Sequence, residues 1–285
     1  MDVHVHFMPK NVMDKVWAYF DAVGPLTGTA WPIAYRTEEQ DRLARLRALG
    51  VRAFPSLVYP HKPGMAGWLN AWATDFAARE PDVLHTATFY AEPSAADDVR
   101  RALEAGAQVF KAHVQVGAYD PRDPLLDPVW GQLSDAQVPV VVHCGDGPAP
   151  GAFTGPGPFL DVMSRFPRLT AVIAHMGLPD YEKFLRMALQ FDRLHVDTTM
   201  AFTDFTERTA PWPRSLTPLL HDLGDRVLFG SDFPNTPYVF AHQVEALLRL
   251  ELGDQWLRGV LHGNASRLLA LPSFAGPRSS GDGSK

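Results

Sequence analysis

Short apolar runs rich in β-branched residues alternate along this chain with longer amphipathic stretches. The runs are DVHVHF (2–7), VRAFPSLVY (51–59), LHTATFY (84–90), AQVFKAHV (107–114), VPVVVHC (138–144), LTAVIAH (169–175), LHVDTTM (194–200) and RVLFGSD (226–232). Between them, segments 38–50, 94–106, 124–137, 157–167 and 180–191 carry helical spacing of apolar residues. Two of these close on Gly50 and Gly106, which suit a left-handed helix end just before a strand. Strand–helix alternation predicts a parallel sheet with helices outside it, and strands apolar throughout predict a sheet covered on both faces. Eight such units in 285 residues predict an α/β fold, a (β/α)8 TIM barrel forming one domain over residues 1–272. A doubly wound open sheet is the competing architecture, but no Gly-rich phosphate turn follows the first strand.

Two regions fall outside the repeat. Residues 8–37 are too long for a simple strand-to-helix loop and carry Trp17, Tyr19, Phe20 and Trp31. Such an insertion distorts the barrel and either covers a substrate at the C-terminal mouth or packs a helix on the rim. The Gly/Ser/Pro-rich residues 273–285 are expected to be a disordered tail.

Charge changes this picture little. The chain carries 26 Lys+Arg against 32 Asp+Glu, a net −6, so no basic face for nucleic acid is expected. No run approaches the 18 apolar residues of a membrane span, and a strand starting at residue 2 leaves no room for a leader; the expectation is a cytoplasmic protein acting on a small molecule. The single cysteine, Cys144, excludes an intramolecular disulfide and a Cys-based zinc cluster, so any metal must be held by histidine and carboxylate.

The candidate chemistry lies in what ends each strand. In a strand, His4 and His6 share one face, presenting two imidazoles from a rigid element. Lys111 and His113 close the fourth run, His143 the fifth, His175 the sixth and Asp232 the eighth. A barrel's active site lies at the C-terminal ends of its strands, and desolvated imidazoles and carboxylates gathered there are costly unless paired or bound to a cation.

The set DVHVHF, VVVHCGDGP, VIAHMG, LFGSDFP and LHGNASRLL resembles the amidohydrolase superfamily, in its branch of small hydrolases and decarboxylases, over nearly the whole chain. The resemblance implies a distorted (β/α)8 barrel holding one or two divalent metals, most often zinc. It implies that His4, His6, His143 and Asp232 are metal ligands. His175 matches the family's strand-6 histidine. It would join a second metal in a two-metal site, or orient the water and stabilise an oxyanion in a one-metal site. Catalytic zinc asks for such a set on its own account, three or four N/O ligands and an open position for water. Asp232 can bind with one oxygen and take the water's proton with the other.

Lys111 bears on the metal count. Some family members bridge two metals with a carboxylated strand-4 lysine, whereas FKAHVQ reads as Lys111 and His113 lining the pocket uncarboxylated. One ion is the expectation, zinc first, with manganese or a second ion as the alternatives. Asp232, His175 and Lys111 are therefore the expected catalytic residues, and His113, Trp31 and Phe202 the expected substrate contacts. Phe202, Phe205 and Trp212, with Trp31 and Tyr119, would form an aromatic wall or a dimer interface, since the family commonly dimerises. Asp197 reads equally as a cap and as a partner of His175, and Asn264 as a cap of the last helix. His61, His85, His195, His221 and His242 have no supporting constellation. The leading activity is hydrolysis of a C–N or C–O bond by metal-activated water; the alternative is non-oxidative decarboxylation of an aromatic or muconate-like acid.

Overall fold

In a computed structural model, residues 1–24 and 28–271 are described; the expected tail, 273–285, lies outside them. Among the described residues eight short strands form: β1 Phe54–Pro55, β2 Val83–Leu84, β3 Thr86–Thr88, β4 Val109–His113, β5 Val140–His143, β6 Ala171–Ile173, β7 Leu194–Asp197 and β8 Val227–Leu228. All pair in parallel, β1 with β2, and β3 to β8 in sequence order as one six-stranded sheet.

The rest of the circumference is irregular. The expected first strand, 2–7, is reduced to one bridge, Val5 to Phe233. Single hydrogen bonds carry it between its neighbours: Asp2 N–H donates to Ala53 O at 3.2 Å, Val3 N–H to Phe229 O at 2.9 Å and His6 N–H to Phe233 O at 2.8 Å. The expected 51–59 strand pairs over two residues only. Pro55 lacks an N–H and cannot extend the ladder. The 84–90 run divides at His85, so that β2 pairs with β1 and β3 with β4. The result is a distorted (β/α)8 barrel.

Alternation along the strands decides which side chains look inward. Phe110, Ala112, Val140, Val142, Ala171, Ile173, Val196 and Val227 belong to one large core with the helices, including Phe159, Val162, Phe184 and Leu185. Val109, Val141, Val172, Ala174 and Leu228 form a separate cluster with Val3, Ala53 and Leu57. This second set is the barrel interior. By the period of two, Lys111 and His113 follow Val109 inward, and His143 follows Val141. Cys144 falls on the opposite face, fully buried in the helix-side core, where burial pushes its thiol pKa up. It is a structural residue.

The helices form close to their expected places, among them Glu39–Ala48, Ala95–Glu104, Asp127–Ala136, Pro156–Arg165 and Tyr181–Gln190. Gly50 and Gly106 take φ of 81° and 87°, the left-handed turn expected of them. Within the insertion, helix Lys10–Ala22 buries Val12 and Met13 against Met8, Val58, Tyr59, Leu69 and Ala73, which fixes it on the rim. Among the described residues no helix is long and apolar enough to cross a membrane.

Candidate metal centre and cavity

Six aromatic rings close a circle on the barrel floor, each touching the next. Centroids run His4 to His6 at 5.1 Å, His6 to Tyr59 at 5.6 Å, Tyr59 to His113 at 4.6 Å, His113 to His143 at 4.1 Å, His143 to His175 at 4.7 Å and His175 back to His4 at 4.9 Å. The five imidazoles come from the irregular first segment, β4, β5 and the turn after β6. All are buried. Burial, the largest cause, together with neighbouring cationic groups, holds His4, His113 and His175 well below the ordinary imidazole pKa and brings His143 down to about 3.

Asp232 joins this circle from the segment after β8. Its Oδ1 lies 3.0 Å from His6 Nε2 and 3.7 Å from His4 Nε2, and one ligand atom from each of the three residues lies within 4.8 Å of the other two. The tautomers follow from the far side of each ring. His4 Nδ1 stands 2.9 Å from Asp197 Oδ2 and His6 Nδ1 2.8 Å from the Leu57 carbonyl. Both partners are acceptors, so each Nδ1 carries the proton and each Nε2 turns a lone pair toward the Asp232 carboxylate. Three acceptors converge in this buried space, where the Lys111 ammonium, 3.3 Å from His4 Nε2, faces one of them, and a divalent cation among them would take all three lone pairs. His175 stands beside this set rather than in it, with its Nδ1 buried and without a hydrogen-bond partner. This donor set, nitrogen and oxygen with each imidazole held from behind, fits a divalent metal.

Asp197 organises the circle. Besides His4, its carboxylate accepts the backbone N–H of His175 at 2.8 Å and of Thr199 at 3.1 Å. His175 and Met176 stand at φ of 55° and 53°, and Asp232 at 64°, left-handed positions that cost non-glycine residues about 1–3 kcal/mol each. The hydrogen bonds from His175 N–H to Asp197 Oδ1 and from Asp232 N–H to His4 O, at 2.9 Å, hold the turns there. Asp2 braces the same region: its Oδ1 accepts from the backbone of His4 and of Ser231, each at 3.1 Å, and burial pushes its carboxyl up to about 7. The link of Asp197 to His175 is one of its two readings in the sequence, whereas its bond to His4 and the bracing by Asp2 rest on contacts 193 and 229 residues away.

Four expected residues take other places. His143 turns its Nε2 to the Gly147 carbonyl at 2.8 Å, so it stands in the circle by ring contact, outside the convergent His4, His6 and Asp232 set. Lys111 is fully buried, its Nζ 3.3 Å from His4 Nε2, the ring nitrogen that faces Asp232, and does not line the cavity. Burial lowers it to about 8 against the opposing pull of Asp197 and Asp232. Phe202 is not a cavity residue. Its left-handed backbone, φ 67°, turns the ring under the loop onto Trp212 at 4.7 Å, and Phe205 three residues on takes the wall position. Tyr119 likewise packs on Tyr90, away from the cavity.

Above the floor opens a cavity of about 690 Å³, walled by Phe20, Trp31, Tyr59, Phe205, Met200 and Leu178. Trp31 stands where expected, its Nε1 donating to Asn235 O at 2.7 Å and its ring against Phe20 at 5.0 Å and Phe205 at 4.8 Å. His113 lines the cavity as well, and its Nδ1 accepts the Val116 N–H at 3.3 Å. A neutral imidazole so held carries its proton on Nε2. Gly230 sets how closely β8 approaches the metal ligands: a Cβ there would collide with the Thr199 hydroxyl and lie 2.8 Å from His4 Cβ. Gly230→Ala is expected to lower stability by about 1–3 kcal/mol in denaturant unfolding and to weaken metal binding by displacing His4. A variant unchanged in both would mean that the neighbouring backbone yields freely.

A parallel barrel with two histidines on its first segment and an aspartate after its last strand places a candidate divalent-metal site at the C-terminal ends of the strands. The amidohydrolase family model matches residues 1–271. The chain belongs to that amidohydrolase family. No curated protein matches it. Among solved structures it is similar to a TIM-barrel protein from Bordetella bronchiseptica, with 20% identity, TM-score 0.73, and 94% of this chain and 98% of that one covered. It is also similar to a probable 2-pyrone-4,6-dicarboxylic acid hydrolase from Acinetobacter baumannii, with 13% identity, TM-score 0.63, and 94% and 98% covered. A third similar structure is 5-carboxyvanillate decarboxylase from Novosphingobium aromaticivorans complexed with manganese, with 14% identity, TM-score 0.62, and 95% and 96% covered. At these identities the likeness speaks for the fold.

Proposed function

We propose that this chain is a metal-dependent hydrolase that cleaves a C–O or C–N bond of a small, largely apolar carbonyl compound, with one zinc ion as its first choice of metal. The observation that carries the reading is the convergence of His4 Nε2, His6 Nε2 and Asp232 Oδ1 as three acceptors below an open cavity. A divalent metal, when bound there, supplies a Lewis acid and lowers the pKa of water toward about 7. The remaining work falls to the chain. Asp232 Oδ2, with no protein partner among the described residues, accepts the proton of the attacking water and returns it to the leaving group. His113 Nε2–H, fixed by the Val116 bond and by stacking on His143, donates to the substrate carbonyl and holds the charge that develops on its oxygen. The aromatic walls exclude water around the scissile bond.

The placement of positive charge supports hydrolysis over decarboxylation. Beyond what a bound metal itself would hold, fixing an aromatic acid by its carboxylate inside the cavity calls for a cation on the cavity wall. Lys111 is buried against His4 Nε2 and does not line the cavity, and Arg36 is on the surface, paired with Asp21 at 2.6 Å. Among the described lining residues, Lys15 is the one lysine or arginine, and it is exposed at the mouth. The test is a panel of neutral aryl esters, lactones and anilides beside hydroxybenzoic acids, with the protein loaded with zinc or manganese. Metal-dependent hydrolysis of a panel member is expected. Release of carbon dioxide from the acids, without hydrolysis of the neutral compounds, would establish the decarboxylase instead.

A further inference from the structure

The cavity does not end at its aromatic walls. A second pocket of about 250 Å³ adjoins it, and Val12, Lys15 and His61 line both. Lys62 and the half-exposed indole of Trp68 complete its far side, over a floor of Val12 and Met65. The basic groups come from two elements, Lys15 from helix Lys10–Ala22 and His61 and Lys62 from the loop before helix Ala66–Arg79. They are close enough to act on each other: partial burial and then the Lys62 and Lys15 ammonium groups hold the His61 imidazole below its ordinary value.

Charge balance makes this annexe stand out. The chain carries a net −6, yet this corner is basic. Of the five lysines among the described residues, Lys10 pairs with Asp14 at 3.0 Å, Lys183 with Asp180 at 2.8 Å, and Lys111 sits on His4. The other two, Lys15 and Lys62, have no carboxylate within ion-pair reach among the described residues, and both line this annexe. Asp14, next to Lys15 in the chain, is engaged on Lys10, and Glu92 accepts the Gly64 N–H at 2.9 Å. Two unpaired ammonium groups at the end of an apolar channel leave a place for an anion that arrives with the ligand.

We infer that the annexe formed by Lys15, His61, Lys62 and Trp68 is a subsite for an anionic end group, so that the substrate is an ester, lactone or amide with an apolar body and a distal carboxylate. This deepens the hydrolase reading and rests on it for the identity of the scissile bond. The apolar body fills the space between Phe20, Trp31 and Phe205, its carbonyl reaches His113 and the floor, and its carboxylate meets the two lysines. The sign of charge at the mouth thus selects among apolar carbonyl compounds that the floor alone accepts equally.

The test uses the zinc-loaded full chain and two matched sets of compounds. Aryl esters whose acyl chain ends in a free carboxylate are compared with the same compounds as methyl esters. The parent should favour the carboxylate roughly five- to tenfold in kcat/KM, the size two exposed ion pairs supply. In K15A/K62A that ratio should fall to about one, and raising salt from low to high should reduce it in the parent alone. A parent that treats both sets alike, or a ratio that survives in the double variant, overturns the subsite. Calorimetric titration of a non-reacting ether analogue, with and without the terminal carboxylate, reads the subsite without turnover. Carboxylate-dependent binding that K15A/K62A loses, in a protein that hydrolyses none of the esters, would keep the subsite and overturn the hydrolase.

Discussion

Asp232→Asn is expected to lower turnover roughly 10³-fold or more while leaving the metal-free protein at least as stable as the parent. The two effects share one cause. Asp232 stands at φ 64°, a conformation that asparagine tolerates as well as aspartate, so the turn after β8 is kept. Its carboxylate faces the lone pairs of His6 Nε2 at 3.0 Å and His4 Nε2 at 3.7 Å. An amide in its place donates to His6, converting a repulsion into a hydrogen bond, but it contributes no charge to a metal and accepts no proton from water. Parent and variant should therefore part company on adding zinc. Metal at about 100 times its Kd stabilises the folded state by about 2.7 kcal/mol, worth roughly 5–10 °C in Tm for a domain of this size. The parent should show that increment in a thermal melt and the variant should lack it. Elemental analysis of both proteins, purified without chelator, completes the measurement. A variant that keeps bound zinc and turnover would remove Asp232 from the site.

The legible part of this protein was its strand ends. His4, His6, His143, His175 and Asp232 could be read because each closes an apolar run, and the period of two carries inward-facing positions from Val109 to Lys111 and His113. The barrel followed from eight such runs even though the first is only a single bridge. What escaped the sequence depended on contacts between distant segments or on one residue's backbone. Phe202 and Phe205 have the same hydrophobicity, and only a left-handed φ at Phe202 sends one ring under the loop and the other to the wall. His61 looked isolated because its basic neighbour Lys15 lies 46 positions earlier, on a helix of the insertion. Asp2 read as an ordinary strand start, yet it ties the His4 backbone to Ser231, 229 positions away in the chain.

Asp197 is the sharpest case, since the sequence left its role open while the structure makes it the residue on which two histidines depend. Asp197→Asn keeps size and shape and changes one donor pattern. Oδ1 accepts two backbone N–H groups, from His175 and Thr199, so an asparagine keeps its oxygen on that side and turns its NH₂ toward His4 Nδ1. That nitrogen now meets a donor and must give up its proton. The proton moves to Nε2, the atom that faces Asp232, and His4 in that tautomer cannot ligate a metal. Metal affinity is expected to fall about 10–100-fold and kcat/KM roughly 10²–10⁴-fold, with the fold kept because the backbone contacts of β7 remain. Titration of the metal-free variant with zinc measures the first and steady-state kinetics at saturating zinc the second. Excess metal should restore part of the activity by selecting the minor tautomer, a rescue that Asp232→Asn should not show. If Asp197→Asn binds zinc as tightly as the parent, His4 takes its tautomer from elsewhere, and the buried Lys111 ammonium, 3.3 Å from the same Nε2, becomes the group that sets it.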